Sequence, residues 1–181
     1  MNVLTLVGSG RRGSFNARLA DAAVAALPAG TVETRFDLTA LPFYDADRDE
    51  EGTLGASVQA LRSAVAAADA IVVASPAYNG ALAAEVKNAI DTASRPRGNA
   101  VIVGKPAAVL TAPFRAEAGA RVIEQITMSL QIAGAQPVGA VNAPFLESFD
   151  AEGAVTPQVR TAIEALVSEL VQTAEQESVA A

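Results

Sequence analysis

Val3-Leu4-Thr5-Leu6-Val7-Gly8-Ser9-Gly10-Arg11-Arg12-Gly13-Ser14-Phe15-Asn16 opens the chain with a strand, a turn and a helix start. Five apolar or β-branched residues form a buried strand candidate that stops at the Gly8-Ser9-Gly10 punctuation. Leu19, Ala22, Ala23, Ala26 and Leu27 then recur at helical spacing, so 15–27 reads as a helix, closed by Pro28-Ala29-Gly30. Strand, tight turn and helix make the first half of a βαβ unit.

The same alternation returns along the chain. Residues 31–38, 70–74, 107–111 and 137–141 read as strands, with Ala70-Ile71-Val72-Val73-Ala74 the most apolar. Helical patterns cover 57–68, 82–93, 119–132 and 157–174, the last with Pro157 in its first turn. A polar connection fills 42–55. Near-continuous apolar strands suit a sheet covered on both faces, and five βα units in a row predict a parallel sheet between two helical layers. One α/β domain in three layers is expected over 1–175, with 176–181 a frayed tail. Two strand orders fit, dinucleotide-type and flavodoxin-like, and both place a ligand beyond the carboxyl ends of the strands at the switch point.

Composition narrows the chemistry. The 181 residues carry 13 Lys+Arg against 20 Asp+Glu, a formal net charge of −7, which disfavours a binder of nucleic-acid backbones or anionic membranes. There is no Cys and no His, which excludes thiolate and Ser-His-Asp catalysis and ordinary zinc chemistry. Hard chemistry then belongs to a cofactor rather than to a catalytic side chain. The N-terminus lacks a basic n-region and no apolar run is long enough to span a bilayer, so a soluble cytoplasmic protein is expected.

Two loops stand out. The turn after the first strand matches G-x-G-x-x-G, yet Ser9, Ser14 and Asn16 crowd it with side-chain donors beside Arg11 and Arg12. A dinucleotide pyrophosphate held mainly by backbone needs few of these. A terminal phosphate monoester, with three free oxygens, matches them better at a helix N-terminus. After the third strand comes Ser75-Pro76-Ala77-Tyr78-Asn79-Gly80. In the flavodoxin-like order strands one and three are neighbours, so both loops would face one crevice suited to a flat heterocycle on a phosphate tail.

Gly8-Ser9-x-Arg11-x-x-Ser14-x-Asn16, Pro76-x-Tyr78-Asn79-Gly80 and Lys87-Asn88-Ala89-Ile90-Asp91, in that order, resemble the NAD(P)H-dependent FMN reductase family of flavodoxin-like proteins. The likeness covers about residues 1–170. It implies a flavodoxin-like sandwich with a five-stranded parallel sheet in the order 2-1-3-4-5. It also implies FMN as cofactor, NADPH or NADH as co-substrate, and a flavin, quinone, azo dye or metal oxyanion as acceptor. By that resemblance Ser9, Arg11, Ser14, Phe15 and Asn16 would hold the FMN phosphate. Pro76, Ala77, Tyr78, Asn79 and Gly80 would border the isoalloxazine and ribityl chain, with Thr111 and Ala112 completing the contacts. Family members are dimers or tetramers, which points to a homo-oligomer built on helix 82–93, whose Ala83, Ala84, Ala89 and Ala93 would allow close approach. A flavin-dependent monooxygenase receiving reduced FMN is a further implied partner.

One departure concerns the loop after the fourth strand. The family commonly has a Ser/Gly-rich segment there, whereas Thr111-Ala112-Pro113-Phe114-Arg115-Ala116-Glu117-Ala118-Gly119 has one glycine. Backbone carrying Cβ atoms approaches a ring less closely. Phe114 is a candidate for stacking or gating, and Arg115 or Arg121 for a nucleotide phosphate. Two rival readings are an FMN-binding electron carrier without nicotinamide oxidase activity, and a dinucleotide enzyme with Asp37 on the ribose. Residues 45–51 are acidic but have Glu50 where a calcium loop requires Gly, so they read as a solvated loop. Asp91–Arg95 and, with less favourable polarity, Lys87–Asp91 have the spacing of helical ion pairs.

Overall fold

The computed structural model describes residues 1–50 and 52–180. Five parallel strands make the main sheet: β1 Asn2–Val7, β2 Val32–Phe36, β3 Ala70–Ala74, β6 Pro106–Thr111 and β7 Gln136–Asn142. A separate two-stranded hairpin, β4 Ala77–Tyr78 and β5 Ala81–Leu82, follows β3. The main sheet runs β2-β1-β3-β6-β7, which is the flavodoxin-like order 2-1-3-4-5.

The alternation of β3 explains its uniform apolarity. Ile71 and Val73 point into one core, and Ala70, Val72 and Ala74 into the other. The first core packs against helices α3 Ala56–Ala67, α4 Ala84–Ala93 and α5 Ala116–Ala133 through Leu61, Val86, Ile90, Val122 and Ile126. The second packs against α1 Phe15–Ala25 and α7 Pro157–Ala180 through Leu19, Ile163, Val167 and Leu170. Two short helices, α2 Ala46–Glu50 and α6 Phe145–Ser148, lie in stretches read as connections.

Boundaries moved for local reasons. β2 stops at Phe36 because Asp37 caps a 3-10 turn over Leu38–Ala40. Helix α4 starts at Ala84 rather than near 82, because Leu82 pairs with Ala77 in the hairpin. Helix α5 begins at Ala116, ahead of the weak helix former Gly119, with Glu117 favourably placed in its first turn. Helix α7 runs on to Ala180 through residues expected to fray, 176–180, while Ala181 lies outside the described residues.

Candidate active site

Gly8 ends β1 with its amide donating to the Ala74 carbonyl at 2.8 Å, which ties the first turn to β3. A Cβ at Gly8 would stand 2.6 Å from Val86 Cγ2 and 2.8 Å from Ala83 Cβ, so glycine lets α4 start against this turn. Between Ser9 and Gly13 no backbone amide finds a protein partner among the described residues, and Ser14 donates to the Arg11 carbonyl at 3.2 Å. Ser14 caps α1, its Oγ accepting from the Ala17 amide at 3.4 Å. The amides of Phe15 and Asn16 stay free in the first helical turn, where the helix dipole is positive. Unpaired amides, two serine hydroxyls and the exposed Arg11 match a phosphate dianion.

Asn16 has a second duty. Its Oδ1 accepts from the buried Ala112 amide at 2.9 Å, which leaves Nδ2 for a ligand and removes the Ala112 N–H from cofactor contact. That bond links the first turn to the loop after β6, across 96 positions of sequence.

The stretch after β3 is the β4–β5 hairpin. Asn79 and Gly80 have φ of 51° and 81°, the pair of positive values that a primed two-residue turn needs. Buried Ser75 holds the base: its Oγ accepts from the Ala83 amide at 2.9 Å and donates to the Pro76 carbonyl at 3.1 Å. Gln125 of α5 holds the tip, accepting from the Leu82 amide at 3.1 Å and donating to the Gly80 carbonyl at 3.2 Å.

The loop after β6 is packed from below. Gly119, the one glycine of residues 111–119 and part of α5, meets the Asn142 side chain and Pro113 so closely that a Cβ there would overlap them. The Phe145 amide donates to the Pro113 carbonyl at 3.0 Å, which runs the segment after β7 along this loop. Four of the six phenylalanines meet here. Phe15 and Phe145 stack with centroids 5.0 Å apart and planes at 4°; Phe149 lies 4.7 Å from Phe15, and Phe114 5.6 Å from Phe145. The guanidinium of Arg11 lies 5.9 Å from the Phe15 centroid, and that of Arg115 6.0 Å from the Phe114 centroid.

Ser9, Arg11, Ser14, Phe15, Asn16, Pro76, Ala77, Tyr78 and Ala112 all line one cleft of about 210 Å³, joined there by Pro113, Phe114 and Phe145. Asn79 and Gly80 stand off it at the hairpin turn, and Thr111 is buried in β6 with its hydroxyl unpartnered. Phe145 was not foreseen. Its signal was an aromatic just past the carboxyl end of the fifth strand, the side where every loop adjoins the crevice.

Other sequence features take structural roles. Asp37 Oδ1 accepts from the Thr39 amide at 3.0 Å and hydroxyl at 2.7 Å, and these bonds hold its carboxyl below the usual range. It serves as a turn cap. Of the four small residues expected at a subunit contact, Ala83, Ala89 and Ala93 face the core of the chain and Ala84 alone is exposed. Lys87 pairs with Asp91 at 2.6 Å, whereas Arg95, past the end of α4, lies over the Tyr44 ring and leaves the expected Asp91–Arg95 pair unmade. In the acidic stretch, Asp49 is bound by both terminal nitrogens of Arg62 at 2.8 and 2.7 Å, and Glu51 lies outside the described residues. No metal-binding group of three or more His, Cys, Asp or Glu occurs, and no helix is long and apolar enough to cross a membrane, among the described residues.

The family model for NADPH-dependent FMN reductases matches residues 1–147. A 2-hydroxy-1,4-benzoquinone reductase of a Burkholderia species is 36% identical over 110 residues, 61% of this chain and 59% of that protein. This chain therefore spans under two thirds of that relative's length. An NAD(P)H-dependent FMN reductase of Pseudomonas aeruginosa is 33% identical over 159 residues, 84% of this chain and 83% of that protein. Among solved structures, a flavoenzyme NAD(P)H:(acceptor) oxidoreductase from Paracoccus denitrificans matches with TM-score 0.80 and 26% identity over 97% of each chain.

Proposed function

Because this chain belongs to the NADPH-dependent FMN reductase family, we propose that it passes reducing equivalents from NADPH or NADH through FMN to a small acceptor of the quinone type. The observation that carries this reading is the convergence of nine expected cofactor contacts on one cleft, among them Ser9, Arg11, Phe15 and Asn16 with unpaired amides. Bound FMN supplies the two-electron chemistry, so a chain without His or Cys can carry it.

The protein's part is binding and orientation. The free amides of 9–16, the Ser9 and Ser14 hydroxyls and Arg11 hold the phosphate. Pro76, Ala77 and Tyr78 border the flat ring, and the Asn79-Gly80 turn sets the hairpin that presents them. The cleft, at about 210 Å³, is below the roughly 300–1,000 Å³ usual for ligand sites, and bound FMN would supply hydride transfer from co-substrate to acceptor there. Dependence on reduced nicotinamide supports a cytoplasmic location.

The chain assembles as a homo-oligomer, with Ala84 the one exposed small residue that α4 offers to such a contact. Exposed Val103 and Ile132 share a groove with α4 residues Lys87, Ile90 and Asp91, and such exposed apolar side chains support this reading. Light scattering at micromolar concentration is expected to give a multiple of 18.4 kDa.

Adding FMN to the purified protein is expected to perturb the flavin absorbance, and anaerobic NADPH or NADH then bleaches it. An unperturbed spectrum overturns the reading. A perturbed spectrum that neither nucleotide bleaches leaves only an FMN-binding electron carrier.

A further inference from the structure

Phe114 and Arg115 stand where the likeness to the family breaks down, and neither is explained by packing. Phe114 is 59% exposed although a phenylalanine side chain gains by burial, and it lines the cleft with Tyr78, 53% exposed. These are the two aromatic rings of the cleft left uncovered at its mouth. Behind Phe114, Phe145 stacks on Phe15, so the exposed ring is the outermost member of a supported aromatic wall.

Charge points the same way. Arg115, like most arginines of the chain, meets no carboxylate among the described residues; what sets it apart is that its guanidinium lies 6.0 Å from the centroid of the exposed cleft residue Phe114. In a chain of net charge −7 the general field repels anions, so an unpaired guanidinium beside the cleft residue Phe114 attracts them locally against that field. A planar, always-charged donor beside an open ring matches a ligand that is itself an aromatic ring with an attached anion.

We propose that Phe114 and Arg115 form an aryl-anion subsite, which makes aromatic anions such as hydroxyquinone or aryl-sulfonate species the preferred acceptors. The inference rests on the FMN reductase reading above. Phe114 stacks with the ring of the acceptor at the mouth of the cleft, and Arg115 holds its anionic substituent.

The test compares 1,4-naphthoquinone with its 2-sulfonate as acceptors, after an FMN titration of each protein. Calorimetry of the oxidised FMN-loaded protein with 2-naphthalenesulfonate, which cannot be reduced, reads the subsite without turnover. Wild type is expected to favour the sulfonate in kcat/KM, through KM. In Arg115→Gln the sulfonate-to-neutral ratio of kcat/KM falls by about 10-fold and the Kd of 2-naphthalenesulfonate rises as much. Arg160→Gln, the same charge change on α7, keeps the wild-type ratio. Phe114→Leu weakens 2-naphthalenesulfonate binding by roughly 3- to 10-fold.

Wild type that binds FMN but treats the two quinones alike overturns the subsite alone, as does an Arg115→Gln variant whose ratio and Kd are unchanged. Undiminished sulfonate binding in Phe114→Leu removes the aromatic half of the proposal. Failure of wild type to bind FMN overturns the FMN reductase reading and the subsite together.

Discussion

The two sides of the cleft are built differently. On one side the β4–β5 hairpin is pinned at its base by Ser75 and at its tip by Gln125, and its turn is the conformation that Asn79-Gly80 prefers. On the other, the loop after β6 depends on distant partners: Asn16 from α1, Asn142 of β7 against Gly119, and the Phe145 amide on the Pro113 carbonyl. The hairpin's shape is local and its polar groups are spent on itself and one helix. The β6 loop is held from behind, so exposed Phe114 lines the cleft with the Arg115 guanidinium beside its ring. A site assembled this way has one side that fixes a cofactor edge and another that can differ between relatives without disturbing the fold.

The largest effect is expected at the floor both sides share. Arg11→Ala removes a charge-assisted contact of about 1.5–3 kcal/mol, which weakens FMN binding roughly 10- to 150-fold. Riboflavin, lacking the phosphate, should bind the variant as it binds wild type. Titration of both flavins decides this, and equal losses would move Arg11 from the phosphate to the fold.

Gly119→Ala attacks the support of the β6 side. Its Cβ would lie 2.6 Å from Asn142 Cγ and 2.8 Å from Pro113 Cγ. Overpacking of this kind costs about 1–3 kcal/mol, or roughly 2–4 °C of melting temperature per kcal/mol at this size. An unchanged thermal melt would show that the loop gives way freely.

A matched pair then separates the two sides. Asn16→Ala leaves the buried Ala112 amide without its acceptor, for about 1–2 kcal/mol. Gln125→Ala releases half-buried backbone groups that water can reach, for about 0.5–1 kcal/mol. Hydrogen exchange should rise around Ala112–Phe114 in the first and around Gly80–Leu82 in the second. Exchange that spreads across both loops in either variant would erase the distinction between them.

The smallest effect lies away from both sides. The Arg62 guanidinium holds the Asp49 carboxyl below its ordinary range. A depressed carboxyl stabilises the fold above the unfolded-state value and loses that contribution as pH falls through the folded one. Asp49→Asn should therefore cost up to about 1 kcal/mol at neutral pH, and its deficit should close on acidification below the carboxylate range. A pH series of denaturant melts checks the sign.

Much of this was legible because it is short-range. The strand, turn and helix of residues 3–16 follow from apolar runs, glycine punctuation and the Ser14 cap. The apolar strands called for two helical layers, and the two donor-rich loops fell beyond adjacent strands. Contacts set by how layers meet could not be read the same way. The helical pattern of residues 82–93 does not say which face is covered, and packing turned Ala83, Ala89 and Ala93 inward. Spacing allowed both Asp91–Arg95 and Lys87–Asp91, and the end of α4 at Ser94 decided for the second. Asn16 looks like a phosphate ligand in its own loop, but its carbonyl belongs to Ala112, and Phe145 reaches the cleft from beyond the fifth strand. Local propensity and periodicity determine which elements form and where chemistry-bearing loops fall. Which side chains share the cleft depends on contacts between residues far apart in sequence, and only folding brings those together.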